Sequence, residues 1–356
     1  MKYNIFTLGE LVRIKYGKNQ KKVQSENGTV PIYGTGGLMG YATDVLYDKP
    51  SVLIGRKGTI NKVRYVDHPF WTVDTLFYTE VNEELVIPKY LYYLMSLLNL
   101  DSYNEGTTIP SLRTETLNRL EFDIPDIEYQ EKVLSMLEPI DMKIKLNEKV
   151  NENLEQQVQA IFRSRFLTQE ALHDGWVKST LGDVSIMGAG GDKPKTVSAT
   201  QTENCPYPIY SNGISDEGLY GFTNEYKIED ESITVSARGT IGYVCLRHLP
   251  YTPIVRLVTL IPKKEVVSAK YLYLWLRNTH IHGTGTTQQQ LTVPDFRKTE
   301  IILPTKEEMV SFTGVVSPLF ETMWANQAEN AKLADLRDTL LPRLVSGELD
   351  VSDIDL

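Results

Sequence analysis

Hydrophobic residues in the first third of the chain fall in short runs between Gly, Pro, Asp and Asn. The runs at 51–54, 60–66 and 75–78 are rich in β-branched and aromatic residues, a composition that predicts strands. Segment 89–98 is apolar at nearly every position, which predicts a helix buried against that sheet. A last strand is predicted at 120–125, where the run ends in proline.

The same order of elements returns in the second half of the chain. Thr7-Leu8-Gly9-Glu10 reappears as Thr180-Leu181-Gly182-Asp183, and Gly58-Thr59-Ile60 reappears as Gly239-Thr240-Ile241. A repeat of roughly 175 to 180 residues is far longer than the 20 to 50 residues of a solenoid unit, so each copy is a domain. We therefore predict two similar mixed α/β domains.

After each domain the apolar spacing changes to alternating steps of four and three residues, the pattern of a coiled-coil seam. The first seam consists of Val133, Leu137, Ile140, Ile144, Asn147, Asn151, Leu154, Val158 and Ile161. The second consists of Phe312, Val316, Leu319, Met323, Asn326, Asn330, Leu333, Arg337 and Leu340. The pattern predicts two long helices.

Both seams carry two asparagines at corresponding positions, Asn147 and Asn151 in the first and Asn326 and Asn330 in the second. Asparagine at a seam position lowers stability but fixes the register of the helices. The shared placement therefore favours pairing of the two helices with each other. An antiparallel pair would relate the two domains by an approximate twofold axis.

Pro139 and Pro318 also correspond, and proline disrupts the middle of a helix. We expect a short helix, a break and then a long helix in each region. The first long helix would span residues 140–166, or roughly 40 Å at about 1.5 Å per residue, which is comparable to one turn of B-DNA.

The predicted fold class is α+β, with two mixed α/β domains separated by two long helices that form an antiparallel coiled coil with pseudo-twofold symmetry. The predicted segments are a first domain at 1–127, a first helical region at 128–170, a second domain at 176–305, a second helical region at 306–347 and an acidic tail at 348–356.

Charge is unevenly distributed along the chain. The net charge is −9, yet residues 1–66 contain 11 basic and 4 acidic side chains, while residues 306–356 contain 4 basic and 10 acidic ones. An acidic protein can therefore carry a basic face suited to nucleic acid. A solvated, lysine-rich surface would give the same counts.

Motifs for common enzyme chemistry are missing. The sequence contains neither a phosphate-binding P-loop nor a dinucleotide-binding glycine turn, and its five histidines lack the spacing of metal ligands. The Asn/Asp-Pro-Pro-Tyr/Phe run of amino-methylating methyltransferases is also absent. From these absences we expect a non-catalytic protein without bound metal. No apolar run approaches the roughly 20 residues of a membrane helix, so we also expect a cytoplasmic protein.

Three polar loops with glycine recur in both domains, at 33–37, 55–59 and 106–111 and again at 210–213, 236–240 and 285–290. Their glycines allow a close backbone approach, their hydroxyl and amide groups suit phosphates, and Arg and Gln can read base edges. For each loop taken alone, a simple turn between sheet elements is the favoured interpretation, ahead of a role in binding. The DNA-binding candidates are Lys18, Lys21, Lys22, Tyr33, Thr35, Arg56, Lys57, Thr107, Thr108, Arg113, Lys193, Lys195, Tyr210, Asn212, Arg238, Thr286, Thr287, Gln288, Gln289 and Gln290.

The order of domain, helix, domain, helix, with cationic turns at 56–60 and 237–241, Gly-Thr-Thr loops and strands ending in proline, resembles the specificity (S) subunit of Type I restriction-modification systems. The resemblance implies two target recognition domains that each read half of a split DNA sequence. It further implies a coiled coil that sets the spacer and docks two methyltransferase subunits.

The resemblance also assigns cofactors and partners. It implies S-adenosylmethionine on the methyltransferase, ATP and Mg²⁺ on the restriction and translocation subunits, and no cofactor on this chain. Two alternatives stay open: an S-like subunit of a split-site system whose partner fuses methyltransferase and nuclease, and a protein scaffold that makes no DNA contact.

Overall fold

The computed structural model describes residues 3–167, 173–283 and 290–354, and it divides into two units. The first unit contains residues 1–147 and 328–356, and the second contains residues 148–327. Each unit thus combines one predicted domain with part of both long helices. Among the described residues, no helix has the length and apolar character needed to cross a membrane.

The described part of the first unit, residues 3–147 and 328–354, contains three small sheets. Its strands are β1 (Asn4–Thr7), β2 (Val12–Tyr16), β3 (Val30–Gly34), β4 (Gly37–Ala42), β5 (Ser51–Gly55), β6 (Val63–Val66), β7 (Trp71–Thr72), β8 (Leu76–Val81) and β9 (Glu121–Ile124). Its short helices are α1 (Leu8–Leu11), α2 (Pro88–Ser96) and α3 (Thr114–Asn118), with a 3-10 turn at Leu100–Tyr103. The sheet orders are β2-β8-β5-β6, β4-β3-β7 and β1-β9.

The second unit repeats this topology. Its strands are β10 (Val177–Thr180), β11 (Ser185–Ala189), β12 (Tyr207–Tyr210), β13 (Leu219–Thr223), β14 (Ser232–Val235), β15 (Val244–Arg247), β16 (Thr252–Pro253), β17 (Val258–Pro262) and β18 (Glu300–Leu303). Its short helices are α5 (Leu181–Val184), α6 (Ala269–Arg277) and α7 (Val293–Phe296). The sheet orders are β11-β17-β14-β15, β13-β12-β16 and β10-β18, so the predicted duplication of a mixed α/β fold is confirmed.

The two long helices are α4 (Ile127–Phe166) and α8 (Lys306–Val345), each of 40 residues. The predicted breaks at Pro139 and Pro318 are wrong, because both prolines lie inside these helices. A proline removes one backbone hydrogen bond of the helix. In α8, buried Phe312 and Val316 precede the proline and buried Phe320 follows it, so packing on both sides holds the helix together.

The helices run antiparallel within each unit, as the seam asparagines show. In the first unit, Asn147 Nδ2 donates to Asn330 Oδ1 at 2.9 Å, and Asn330 Nδ2 donates to the Ile144 carbonyl at 3.4 Å. In the second unit, Asn326 Nδ2 donates to Asn151 Oδ1 at 2.8 Å. The amides therefore pair across the seam, which is the role predicted for them.

Candidate nucleic-acid interface

Three loops of the first unit meet at one edge, which we call the first rim: Thr35 at the β3–β4 hairpin, the turn 56–58 and the segment 110–112. The Gly58 amide donates to the Pro110 carbonyl at 2.9 Å, and the Leu112 amide donates to the Arg56 carbonyl at 2.9 Å. The Thr35 hydroxyl oxygen lies 3.7 Å from the position that a Cβ on Gly58 would occupy. Loops far apart in sequence thus form one surface.

Glycine is required where these loops turn. A Cβ on Gly55 would lie 2.2 Å from the Thr59 carbonyl oxygen, and Gly58 has φ +91°, a conformation that favours glycine. A Cβ on Gly106 would lie 1.9 Å from the Ile109 carbonyl oxygen. The glycines of the recurring motifs therefore serve the backbone geometry that presents the neighbouring polar side chains.

Asn104 shapes the Gly-Thr-Thr loop from inside. Its Oδ1 accepts hydrogen bonds from the amides of Gly106 and Ser111, at 2.8 and 2.9 Å. This clamp leaves the side chains of Thr107 and Thr108 exposed at the tip. Two hydroxyl donors are therefore available to a ligand on the first rim.

The cations of the first rim differ in how they are held. The Arg56 Nη1 donates to the Asp74 carbonyl at 2.9 Å, and its guanidinium lies 5.2 Å from the centroid of the Tyr16 ring. Arg113 forms an exposed ion pair with Glu105 at 3.1 Å. Lys57 is exposed. These groups border a shallow cavity of about 370 Å³.

The second unit repeats the contact between turn and loop. The Leu291 amide donates to the Ala237 carbonyl at 3.0 Å, which matches the bond from Leu112 to Arg56 in the first unit. The Arg238 Nη2 donates to Gln290 Oε1 at 3.3 Å. We call this edge the second rim. The predicted residues Thr286, Thr287, Gln288 and Gln289 lie outside the described residues.

Asn212 has a positioning role in the second rim. Its Oδ1 accepts from the Ala237 amide at 2.7 Å, and its Nδ2 donates to the Val255 carbonyl at 2.7 Å. The side-chain amide thus ties the turn to two other backbone segments. The predicted hydrogen-bonding capacity of Asn212 is used inside the protein.

Tyr33 and Tyr210 occupy equivalent strands, and both contact an arginine. The Tyr33 ring centroid lies 5.7 Å from the Arg64 guanidinium, and its hydroxyl lies 3.3 Å from His68 Nε2. The Tyr210 ring lies 3.6 Å from the Arg247 guanidinium. Burial raises the pKa of both phenols, so both are neutral hydrogen-bonding groups at pH 7.

The remaining lysines that were predicted to bind DNA lie on exposed loops. Lys18 follows β2, and its carbonyl accepts from Trp71 Nε1 at 2.8 Å. Lys193 donates to the Tyr220 hydroxyl at 2.8 Å. Lys21, Lys22 and Lys195 are exposed, and within residues 3–167, 173–283 and 290–354 their side chains form no hydrogen bond or ion pair with either rim.

Buried Arg247 holds a turn of the second unit in place, a role that the sequence reasoning missed. Its side chain is 5% exposed, and it donates to Glu217 Oε2 at 3.0 Å, to the Glu217 carbonyl at 2.6 Å and to Thr234 Oγ1 at 3.0 Å. Comparing the two copies could have identified it, because the equivalent position in the first unit is Val66. The structure also describes no group of three metal-ligating side chains among residues 3–167, 173–283 and 290–354.

Comparisons with known proteins agree on one family. The family model of the Type I restriction modification DNA specificity domain matches residues 1–156 and 173–333. The specificity subunit of the type I restriction enzyme HindI of Haemophilus influenzae is 25% identical, and the match covers 78% of this chain and 81% of the relative. The MjaIX specificity subunit of Methanocaldococcus jannaschii is 24% identical, with 87% and 80% covered.

A solved structure shares the fold. The crystal structure of the S subunit of a Type I restriction-modification system from M. genitalium matches with a TM-score of 0.62 and 18% identity, covering 97% of this chain and 96% of that one. Together with the two matched repeats and the duplicated topology, these similarities establish that the chain belongs to the family of Type I restriction-modification specificity subunits, with two target recognition domains.

Proposed function

We propose that this chain is the non-catalytic DNA-reading subunit of a Type I restriction-modification complex. Each domain reads one half of a bipartite target through its rim, and the two long helices set the unread spacer and dock methyltransferase subunits. S-adenosylmethionine belongs to the methyltransferase partner in this proposal, and ATP and Mg²⁺ belong to the restriction subunits.

The observation that carries the proposal is the convergence of turn and loop at equivalent places in both units. In each unit a cationic turn is hydrogen-bonded to the segment that follows a Gly-Thr-Thr loop, through Leu112 in the first and Leu291 in the second. Arg, Lys and hydroxyl side chains are the groups that contact phosphates and base edges in protein–DNA complexes. Differences between the rims, such as Lys57 against Arg238, suit two different half-sites.

The salt dependence of DNA binding tests this proposal. The subunit assembled with its methyltransferase should lose affinity for duplex DNA steeply with salt, with log K falling linearly against log salt concentration, because each phosphate contact releases counterions. A duplex that contains the target sequence should bind roughly 10³-fold or more tightly than a duplex that lacks it. Salt-independent binding, or equal binding of both duplexes, would favour a protein scaffold instead.

A further inference from the structure

A polar cavity of about 560 Å³ lies beside the first rim, between strand β6, helix α2 and helix α4 of the first unit. Its basic lining residues are Lys62, Arg64, Lys89 and Lys145, and its acidic ones are Asp67 and Asp141. Four positive and two negative side chains give 4 − 2 = +2, so the lining has a positive net charge.

One of the two acidic lining residues, Asp141, is already paired with two cations. Asp141 lies 3.5 Å from Lys89 Nζ and 3.0 Å from Arg337 Nη1, and it also accepts from the Tyr93 hydroxyl at 2.6 Å. Lys89 in turn lies 4.7 Å from the Tyr65 ring centroid. This network holds its members in place and leaves the outer cations to a ligand.

The outer cations are Lys62, Arg64 and Lys145, and all three side chains are exposed. Arg64 reaches the β3–β4 hairpin, where its Nη2 lies 3.3 Å from the position of a Cβ on Gly37. The same hairpin carries Thr35 of the first rim. The cationic surface is therefore continuous with the first rim through one hairpin.

The equivalent cavity of the second unit, of about 420 Å³, has a different charge. Its arginines are paired, Arg247 with Glu217 at 3.0 Å and Arg277 with Glu155 at 2.9 Å, so the ionic lining sums to 2 − 2 = 0. Burial, followed by the charges of Lys270 and Arg247, lowers the pKa of His248, which keeps that ring neutral at pH 7.

Position by position, the second unit replaces the outer cations. Strand pairing aligns Ser51 and Val66 with Ser232 and Arg247, an offset of 181, so Lys62 and Arg64 correspond to Tyr243 and Cys245. The seam asparagines give an offset of 179 in the helices, so Lys145 corresponds to Trp324. Three cations of one unit are thus two aromatic residues and a thiol in the other.

We propose that Lys62, Arg64 and Lys145 form a contact surface for the DNA phosphate backbone beside the half-site read by the first domain, and that the second domain lacks this surface. This proposal rests on the proposed function. The partner is duplex DNA because the three cations are exposed and continuous with the first rim. The DNA backbone continues beyond the recognised bases, so its phosphates would pass along such a surface. The two domains therefore make different numbers of phosphate contacts at their half-sites.

The test is the salt slope of DNA binding by the full chain assembled with its methyltransferase, compared with a Lys62→Gln/Lys145→Gln variant. Losing two phosphate contacts should lower the slope of log K against log salt by about 2 and weaken binding on the order of 30-fold near 0.15 M salt. The methylated sequence should not change, because phosphate contacts carry no direct base information. A Lys49→Gln/Arg119→Gln variant removes two exposed charges of the same unit outside the cavity, and it should match the wild type.

The outcomes separate the two proposals. If the wild-type complex binds DNA without a salt slope, the proposed function fails. If the wild type shows the slope and the Lys62→Gln/Lys145→Gln variant retains it, only the phosphate surface is wrong. Ethylation interference adds a second readout, because it identifies the phosphates whose modification blocks binding. For the Lys62→Gln/Lys145→Gln variant, ethylation should cease to block binding at phosphates beside one half-site and still block it beside the other. Equal loss beside both halves would overturn the asymmetry. Thermal melting of both variants checks that each is folded.

Discussion

Arg247 is a buried cation whose interactions explain a strained turn of the second unit. Glu217, its partner, has φ 53°, and the preceding Asp216 has φ 47°, both in the left-handed region that non-glycine residues seldom adopt. Arg247 binds both the carboxylate and the carbonyl of Glu217. The arginine thus compensates for the backbone strain of this turn.

We predict that Arg247→Met destabilises the second unit by about 2 to 4 kcal/mol, because Thr234 loses its partner and the turn loses its anchor. Chemical denaturation measures the change. Glu217→Gln should cost less, since the carbonyl of residue 217 still accepts from the arginine. A loss below about 0.5 kcal/mol for Arg247→Met would show that the turn does not depend on this contact.

At the level of single residues, the sequence predicts the loops but not how their side chains are used. Gly58 and Gly106 were predicted within turns because glycine-rich polar runs are typical of them. The internal roles of Asn212 and Arg247 depend on atoms brought from segments 25 to 43 residues and 13 to 30 residues away, which no local pattern contains.

Among the elements, the long helices are held in register by the asparagine pairs. Asn147 is buried at 3% exposure and donates to both Asn330 and Glu329. The hydrogen bonds from Asn147 and Lys143 lower the pKa of Glu329, which is therefore ionised at neutral pH. A polar contact inside an apolar seam favours this alignment over shifted ones.

We predict that Asn147→Leu destabilises the first unit by about 1 to 3 kcal/mol, because Asn330 loses a partner at the seam. The Asn147→Leu/Asn330→Leu double variant should recover most of that stability, since leucine packs well at seam positions. A double-mutant cycle by chemical denaturation measures the coupling. Additive losses from the two substitutions would contradict the paired role of the amides.

The heptad spacing predicted the helices correctly, and only the expected proline breaks were wrong. Local propensity treats Pro139 and Pro318 as helix breakers. Buried residues on both sides of each proline, such as Leu137 and Asn147 in α4, favour a continuous helix. Tertiary packing outweighs the lost hydrogen bond, and the sequence alone gives no measure of that packing.

The segment after α8 belongs to the first unit and is packed against it. Val351 is 1% exposed, the Leu349 carbonyl accepts from the Tyr129 hydroxyl at 3.3 Å, and the Ser352 carbonyl accepts from Lys132 Nζ at 2.6 Å. Tyr3 also donates to the Val345 carbonyl at 3.2 Å. The segment is acidic, yet buried Val351 and these hydrogen bonds hold it against the first unit.

We predict that truncation after Glu348 destabilises the first unit by about 2 to 4 kcal/mol, the range expected when buried aliphatic side chains are removed. Asp353→Ala, an exposed change in the same segment, should have almost no effect. Denaturation curves of the two variants measure the difference. Equal stability of the truncated chain and the Asp353→Ala variant would show that Val351 does not anchor the segment.

For the whole molecule, the sequence repeat predicted two similar mixed α/β domains, and the structure adds that their sheet orders are equivalent. The predicted segments kept the helical regions separate from the domains, whereas each unit includes part of both long helices, which meet where Asn147 bonds to Asn330, 183 residues away. The charge difference between the two cavities was also hidden. The repeat aligns Lys62 with Tyr243 and Arg64 with Cys245, but only the fold brings these side chains together in one cavity of each unit.

The central claim is that the two domains read the two halves of the target independently. The most direct test exchanges the polar loops of the first domain for those of another specificity subunit. The exchanged loops are 33–37, 55–59 and 106–111. Single-molecule mapping then locates the methylated adenines in a host that carries this chain and the partner methyltransferase. We predict that one half of the methylated sequence changes while the other half and the spacer length stay the same. Exchange of the corresponding loops of the second domain, 210–213, 236–240 and 285–290, is the matched control and should change only the opposite half. Changes in both halves after either exchange would contradict the account.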